Sequence, residues 1–295
     1  MKTSTLTNYL ESDAKGESPR RYAWYLCANL CSLDAPVVAV VWLWAFSRGF
    51  HSPVAWPVYA VLFLSVWAIY LLDRLLDTWR LKDGQFATGR HDFVRRHQKV
   101  FMLLLLVVLC VAAGLAMAYL PLDLLLAGAT LSAAVAVYFA VFVKCFPRCK
   151  PLRAKEFACG GVFALGTALG VDAFRQGLLN DTLMVLPPVM LFASLCIYNC
   201  LIIAAREAAS DRIHDPAAAS HWWHQLGRDL LWLGLALSLL SAVVLIFMPA
   251  SLLYRAIFLS SLCLSLAHFF QDRMAASLFR VLADAVLLSP LLFLI

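Results

Sequence analysis

Long apolar runs separated by short charged stretches set the rhythm of this chain. A hydrocarbon core of ~30 Å is crossed by about 20 apolar residues in a helix. Nine runs reach that length, at about 30–48, 54–72, 100–119, 122–143, 157–173, 183–205, 230–248, 251–270 and 278–295. They predict an all-α, polytopic membrane bundle of about nine transmembrane helices. The fifth run is short and carries Gly160, Gly161, Gly166 and Gly170. Membrane helices tolerate such residues where neighbours pack closely. Residues 1–21 are polar and mixed in charge, without the apolar stretch of a signal peptide. They are expected to form a cytosolic tail, with 22–295 as a single transmembrane domain.

Composition excludes a soluble domain. The chain is 63% hydrophobic and 14% charged, with a mean hydropathy of +0.80, against about 25% charged residues in soluble domains. The net charge of +6 needs no nucleic-acid partner, because topology accounts for it. With the N-terminus in the cytosol and nine alternating spans, 21 of the 24 Lys and Arg fall on the cytosolic side. Only Arg48, Arg175 and Arg255 fall on the other. That asymmetry is the positive-inside pattern. It predicts a multi-pass protein of the inner or cell membrane, with the C-terminus outside.

Two carboxylate clusters close apolar runs. Asp73 and Asp77 end the second, and Glu207, Asp211 and Asp215 end the sixth. Spacing i, i+4 puts side chains on one helix face, with Cβ atoms about 5–6 Å apart. Like charges so placed repel, and carboxylates at a membrane boundary are costly. A divalent cation turns the repulsion into coordination. Mg²⁺ in particular is commonly held by one or two carboxylates plus substrate phosphates. Both clusters are expected at cytosolic helix ends, among the most basic loops, where a metal-chelated anion is at home.

Plainer readings stand beside this one. Asp73 and Asp77 could be helix-end residues paired with Arg74 or Arg80, and the second cluster a solvated face interleaved with Arg206 and Arg212. Their common side favours metal binding. Asp215 precedes Pro216 and reads as a turn residue. Asp34, just before Pro36, reads as a helix-start cap, and Asp284 as an i, i+4 partner of Arg280. Arg95, Arg96 and Lys99 suit lipid headgroups. The pairs Cys27/Cys31, Cys145/Cys149 and Cys196/Cys200 lack further ligands at zinc spacing and read as reduced packing residues.

The motifs resemble those of the UbiA-like superfamily of intramembrane prenyltransferases. That family carries N-x-x-x-D-x-x-x-D after its second helix and a D-x-x-x-D-type motif after its sixth. Here the first reads Ile69-x-x-x-Asp73-x-x-x-Asp77 and the second Glu207-x-x-x-Asp211. Ile69 stands in place of Asn and Glu207 in place of Asp. The family's Arg-Pro pair is absent, with Arg80 and the run Thr88–Phe93 following instead. The run Leu152–Gly161 supplies Lys155 at the start of the fifth span, where the family often has a basic residue. The resemblance implies a divergent member of a helical, typically nine-spanning family.

For function, it implies that Asp73, Asp77, Glu207 and Asp211 hold Mg²⁺, which binds a polyprenyl diphosphate. Lys155, Arg80, Arg90 and His91 are then the candidates for the diphosphate charge, and an unidentified lipophilic acceptor takes the prenyl group. The alternative is a catalytically degenerate member acting as a membrane binding, carrier or assembly protein, which the substitutions Ile69 and Glu207 favour.

Overall fold

The fold, taken from a computed structural model, is described for residues 27–80, 89–145, 155–180, 182–214, 227–248 and 251–294. Within these residues the regular structure is helical, without strands. Helices satisfy their own backbone groups, which lipid requires. After a single turn at Cys27–Leu30 come α1 (Asp34–Gly49), α2 (Trp56–Arg80), α3 (Gly89–Arg96), α4 (Gln98–Tyr119) and α5 (Leu122–Cys145). They are followed by α6 (Lys155–Leu169), α7 (Asp172–Asn180), α8 (Thr182–His214), α9 (Gly227–Phe247), α10 (Leu252–Phe269) and α11 (Ala276–Val286). Pro36 and Pro57 lie in first turns and Pro121 just before α5, positions whose N–H groups have no intrahelical partner.

Seven helices among the described residues are long and apolar enough to cross a membrane, and the bent pair α6–α7 makes an eighth. The protein is a multi-pass, all-α membrane bundle. Two of the nine expected runs differ from plain spans. The first is broken at Ser32, which takes φ 56°, so α1 has only 16 residues. The fifth ends at Leu169, and α7 leaves at 100°. Arg175 fixes this corner: its guanidinium donates to the Leu169 carbonyl (2.8 Å), Asp172 Oδ1 (3.0 Å) and Asp123 Oδ2 on α5 (3.0 Å by Nε). The loop expected to hold Arg90 and His91 contains α3, docked on α2 by Val94, which packs with Leu71 and Leu75.

The short α1 is the most enclosed element, with Trp42, Leu43, Ala45 and Phe46 fully buried. Trp42 stacks on Phe192 of α8 at 4.2 Å between ring centroids, and its Nε1 donates to the Leu287 carbonyl at 2.7 Å. One residue thus ties α1, α8 and the end of α11. By contrast only 6% of the Leu122–Ala140 window of α5 is buried, so α5 presents its apolar surface outward, to lipid. α9 and α10 are joined by serines, with Ser238 Oγ donating to Ser261 Oγ at 2.9 Å. Small residues and interhelical hydrogen bonds of this kind hold helices together where lipid competes for apolar contact.

Candidate functional site

Asp73 and Asp77 lie on consecutive turns near the end of α2. Lys155, the first residue of α6, reaches both: its Nζ is 3.6 Å from Asp73 Oδ1 and 3.9 Å from Asp77 Oδ2. These are ion-pair separations, longer than the ~2.7–2.9 Å of a charge-assisted hydrogen bond. All three side chains keep some exposure, at 17% for Lys155, 31% for Asp73 and 22% for Asp77. Glu156, beside Lys155, is buried at 7% exposure.

Gly160 brings α6 to this position. A Cβ built there would lie 2.6 Å from the Ile197 backbone nitrogen, so α6 and α8 meet backbone to backbone. α6 also touches α1, α2 and α5. α8 spans 33 residues, about 50 Å at 1.5 Å per residue. Its apolar span ends at Arg206, whose Nη2 donates to the Met274 carbonyl. Glu207 and Asp211 ride the helix beyond that point. Their side chains, and those of Arg80, Arg90 and His91, lie outside the described residues, as does Asp215 altogether. Arg74, offered above as a partner of Asp73 and Asp77, is buried at 9% exposure, and the Lys155 ammonium lies within ion-pair range of both carboxylates.

Cys159, one turn along α6 from Lys155, is exposed and lies within range of the Lys155 and Asp73 charges. Tyr70, one turn inward of Asp73, is half-buried and within electrostatic range of Cys159, Cys200, Asp34 and Asp284. Of the cysteines expected to pack, Cys196 is buried and Cys200 half-buried, whereas Cys31 is exposed.

Asp34 and Asp284 approach each other inside the bundle. The helix cap expected of Asp34 is not formed: Leu33 is the N-cap, without a side-chain cap bond, and Asp34 is the first helical residue, its Oδ1 accepting only the neighbouring Ala35 N–H at 3.0 Å. Its Oδ2 accepts from Asn29 Nδ2. Asp284 does feel Arg280, as its spacing suggested, but it also lies within range of the Asp34 carboxyl and accepts from Asn199 Nδ2 at 3.0 Å. Asn199, Tyr70 and the meeting of two carboxyls 250 residues apart carried no motif. An isolated Asn and Asp in two apolar runs were the only signal.

No protein-family model matches the chain, and neither the curated proteins nor the solved structures give a significant match.

Proposed function

We propose that this protein is a Mg²⁺-dependent intramembrane prenyltransferase of the UbiA-like kind. In this reading it moves a polyprenyl group from its diphosphate to a lipophilic acceptor, at a site facing the cytosol. The observation that carries the reading is Lys155 set against both Asp73 and Asp77 at one end of a membrane bundle.

The residues fit a Mg²⁺ ion. Among the described residues no three or more His, Cys, Asp or Glu side chains gather into a full protein shell, but Mg²⁺ needs only one or two carboxylates plus substrate phosphates. Asp73 and Asp77 supply two, on one helix face and partly exposed, and Glu207 and Asp211 are the further candidates. When bound, the ion would supply Lewis-acid stabilisation of the diphosphate leaving group. Lys155 would then turn from the carboxylates to the diphosphate oxygens, with Arg80, Arg90 and His91 as further donors. Charge fixed where the leaving group gains it lowers the barrier. The apolar helices of the bundle would keep water from the allylic cation.

The second reading is a degenerate, binding-only member. Lys155 favours it, because an ammonium already offsets the repulsion of Asp73 and Asp77 without any metal. Prenyl transfer by purified protein, with labelled prenyl diphosphates and a panel of acceptors, tests the first reading. Binding of a prenyl diphosphate without turnover across the panel supports the second.

A further inference from the structure

We propose that Arg74 holds the phosphate of an anionic phospholipid headgroup at the end of the bundle that carries Lys155. The proposal is independent of the prenyltransferase reading.

Arg74 stands in the last two turns of the Trp56–Trp79 span and is 9% exposed. Arginine keeps its charge in proteins, and a charge within a membrane helix is costly unless it is paired. Among the described residues the Arg74 guanidinium meets neither an acceptor nor a carboxylate. The residue's hydrogen bond is made by its carbonyl, which accepts from Thr78 Oγ1 at 2.8 Å. Asp77 is its i, i+3 neighbour on the helix surface, yet no ion pair joins the two, and Lys155 is the cation set against Asp73 and Asp77. The guanidinium nitrogens are not enclosed as Ser32 Oγ and Asn199 Oδ1 are, so the stem is buried while the tip can be reached. Such a group needs an oxyanion from outside the chain. The planar fork of arginine matches phosphate oxygens.

The surroundings favour a lipid as the source of that phosphate. Through Val94, α3 docks on Leu71 and Leu75, three residues before Arg74 and one after. It brings exposed Arg96, and Lys99 at the start of α4, to the same end of α2. Directly after Lys99, α4 exposes Val100 (60%), Leu103 (63%) and Val107 (49%). Cations above an apolar wall complement an anionic headgroup above its acyl chains. The exposed Trp79 ring suits the same headgroup level. Arg96 and Lys99, on the surface, add attraction that salt screens, and the buried Arg74 supplies the selectivity.

Native mass spectrometry of the full-length protein in neutral detergent, with phosphatidylglycerol and phosphatidylcholine supplied in equal amounts, tests this. The wild type is expected to retain phosphatidylglycerol about tenfold over phosphatidylcholine, roughly the worth of one charge-assisted hydrogen bond. Arg74→Gln should lose that preference, and the double variant Arg96→Gln, Lys99→Gln should keep it. Arg74→Lys, which keeps the charge without the fork, should weaken it and decides the matter if Arg74→Gln does not fold. Equal retention of the two lipids by the wild type would overturn the proposal whichever variants fold. A preference that survives undiminished at Arg74→Gln or Arg74→Lys, or that vanishes in the double variant, would place the lipid on the surface bases and overturn it too. Displacement of the bound lipid by inorganic pyrophosphate would do the same, by assigning Arg74 to a soluble diphosphate.

Discussion

Gly160 packs against the backbone of Ile197, so closely that a Cβ would sit 2.6 Å from the Ile197 nitrogen and 2.8 Å from its Cα. Backbone cannot rotate away as a side-chain tip can. Gly160→Ala must therefore push α6 from α8, at about 1–3 kcal/mol for overpacking. It also shifts Lys155 at the end of the same helix. A lowered melting temperature together with weakened diphosphate binding is the expected outcome. Gly161, whose Cβ would meet nothing within 4 Å, is the control, and Gly161→Ala should be silent.

Lys155→Met keeps the side chain's length and removes its charge. Asp73 and Asp77 then face each other without the ammonium between them. Thermal stability measured without ligand should fall, and added Mg²⁺ should restore it by taking the place of the lost cation. A variant as stable as wild type, with no response to Mg²⁺, would show that the two carboxylates do not need a counter-charge.

Trp42 combines a stacked ring contact with a buried hydrogen bond to the Leu287 carbonyl. Trp42→Phe leaves that carbonyl without its donor, at about 1–3 kcal/mol. The expected result is a lower melting temperature. Hydrogen exchange should rise first around Val286–Ser289, where α11 ends.

The proposed orientation puts positions 85 and 219 in the cytosol. Gln85→Cys and Ala219→Cys should escape impermeant maleimide in intact cells and react after permeabilisation, relative to the parent chain. Labelling in intact cells would reverse the orientation.

Most of the bundle was legible in the sequence, because length and apolarity alone decide whether a helix can cross lipid. The exceptions were local. Ser32 takes a left-handed conformation that ends one helix before α1, and Arg175 reaches back to the Leu169 carbonyl to hold the α6–α7 bend. Neither leaves a mark on hydropathy. At the site, Asp73 and Asp77 were legible because i, i+4 is a local spacing, and Lys155 through the family resemblance. Their contact was not, because Asp73 and Lys155 are distant in sequence. Asp34 and Asp284 each had a sufficient local explanation, a cap and an i, i+4 pair, which hid their meeting across the fold.

The most direct measurement of the central claim is the melting temperature of the purified protein with Mg²⁺ and geranylgeranyl diphosphate, added singly and together, in wild type and in Asp77→Asn. Stabilisation follows the affinity of the folded site for its ligand. The wild type should be raised clearly only when both are present. Asp77→Asn, which keeps size and hydrogen bonding but loses the charge, should fold as well as wild type and lose that response. A wild type whose melting temperature ignores the combination, or an Asp77→Asn variant that keeps the full response, would contradict a metal–diphosphate site at Asp73 and Asp77.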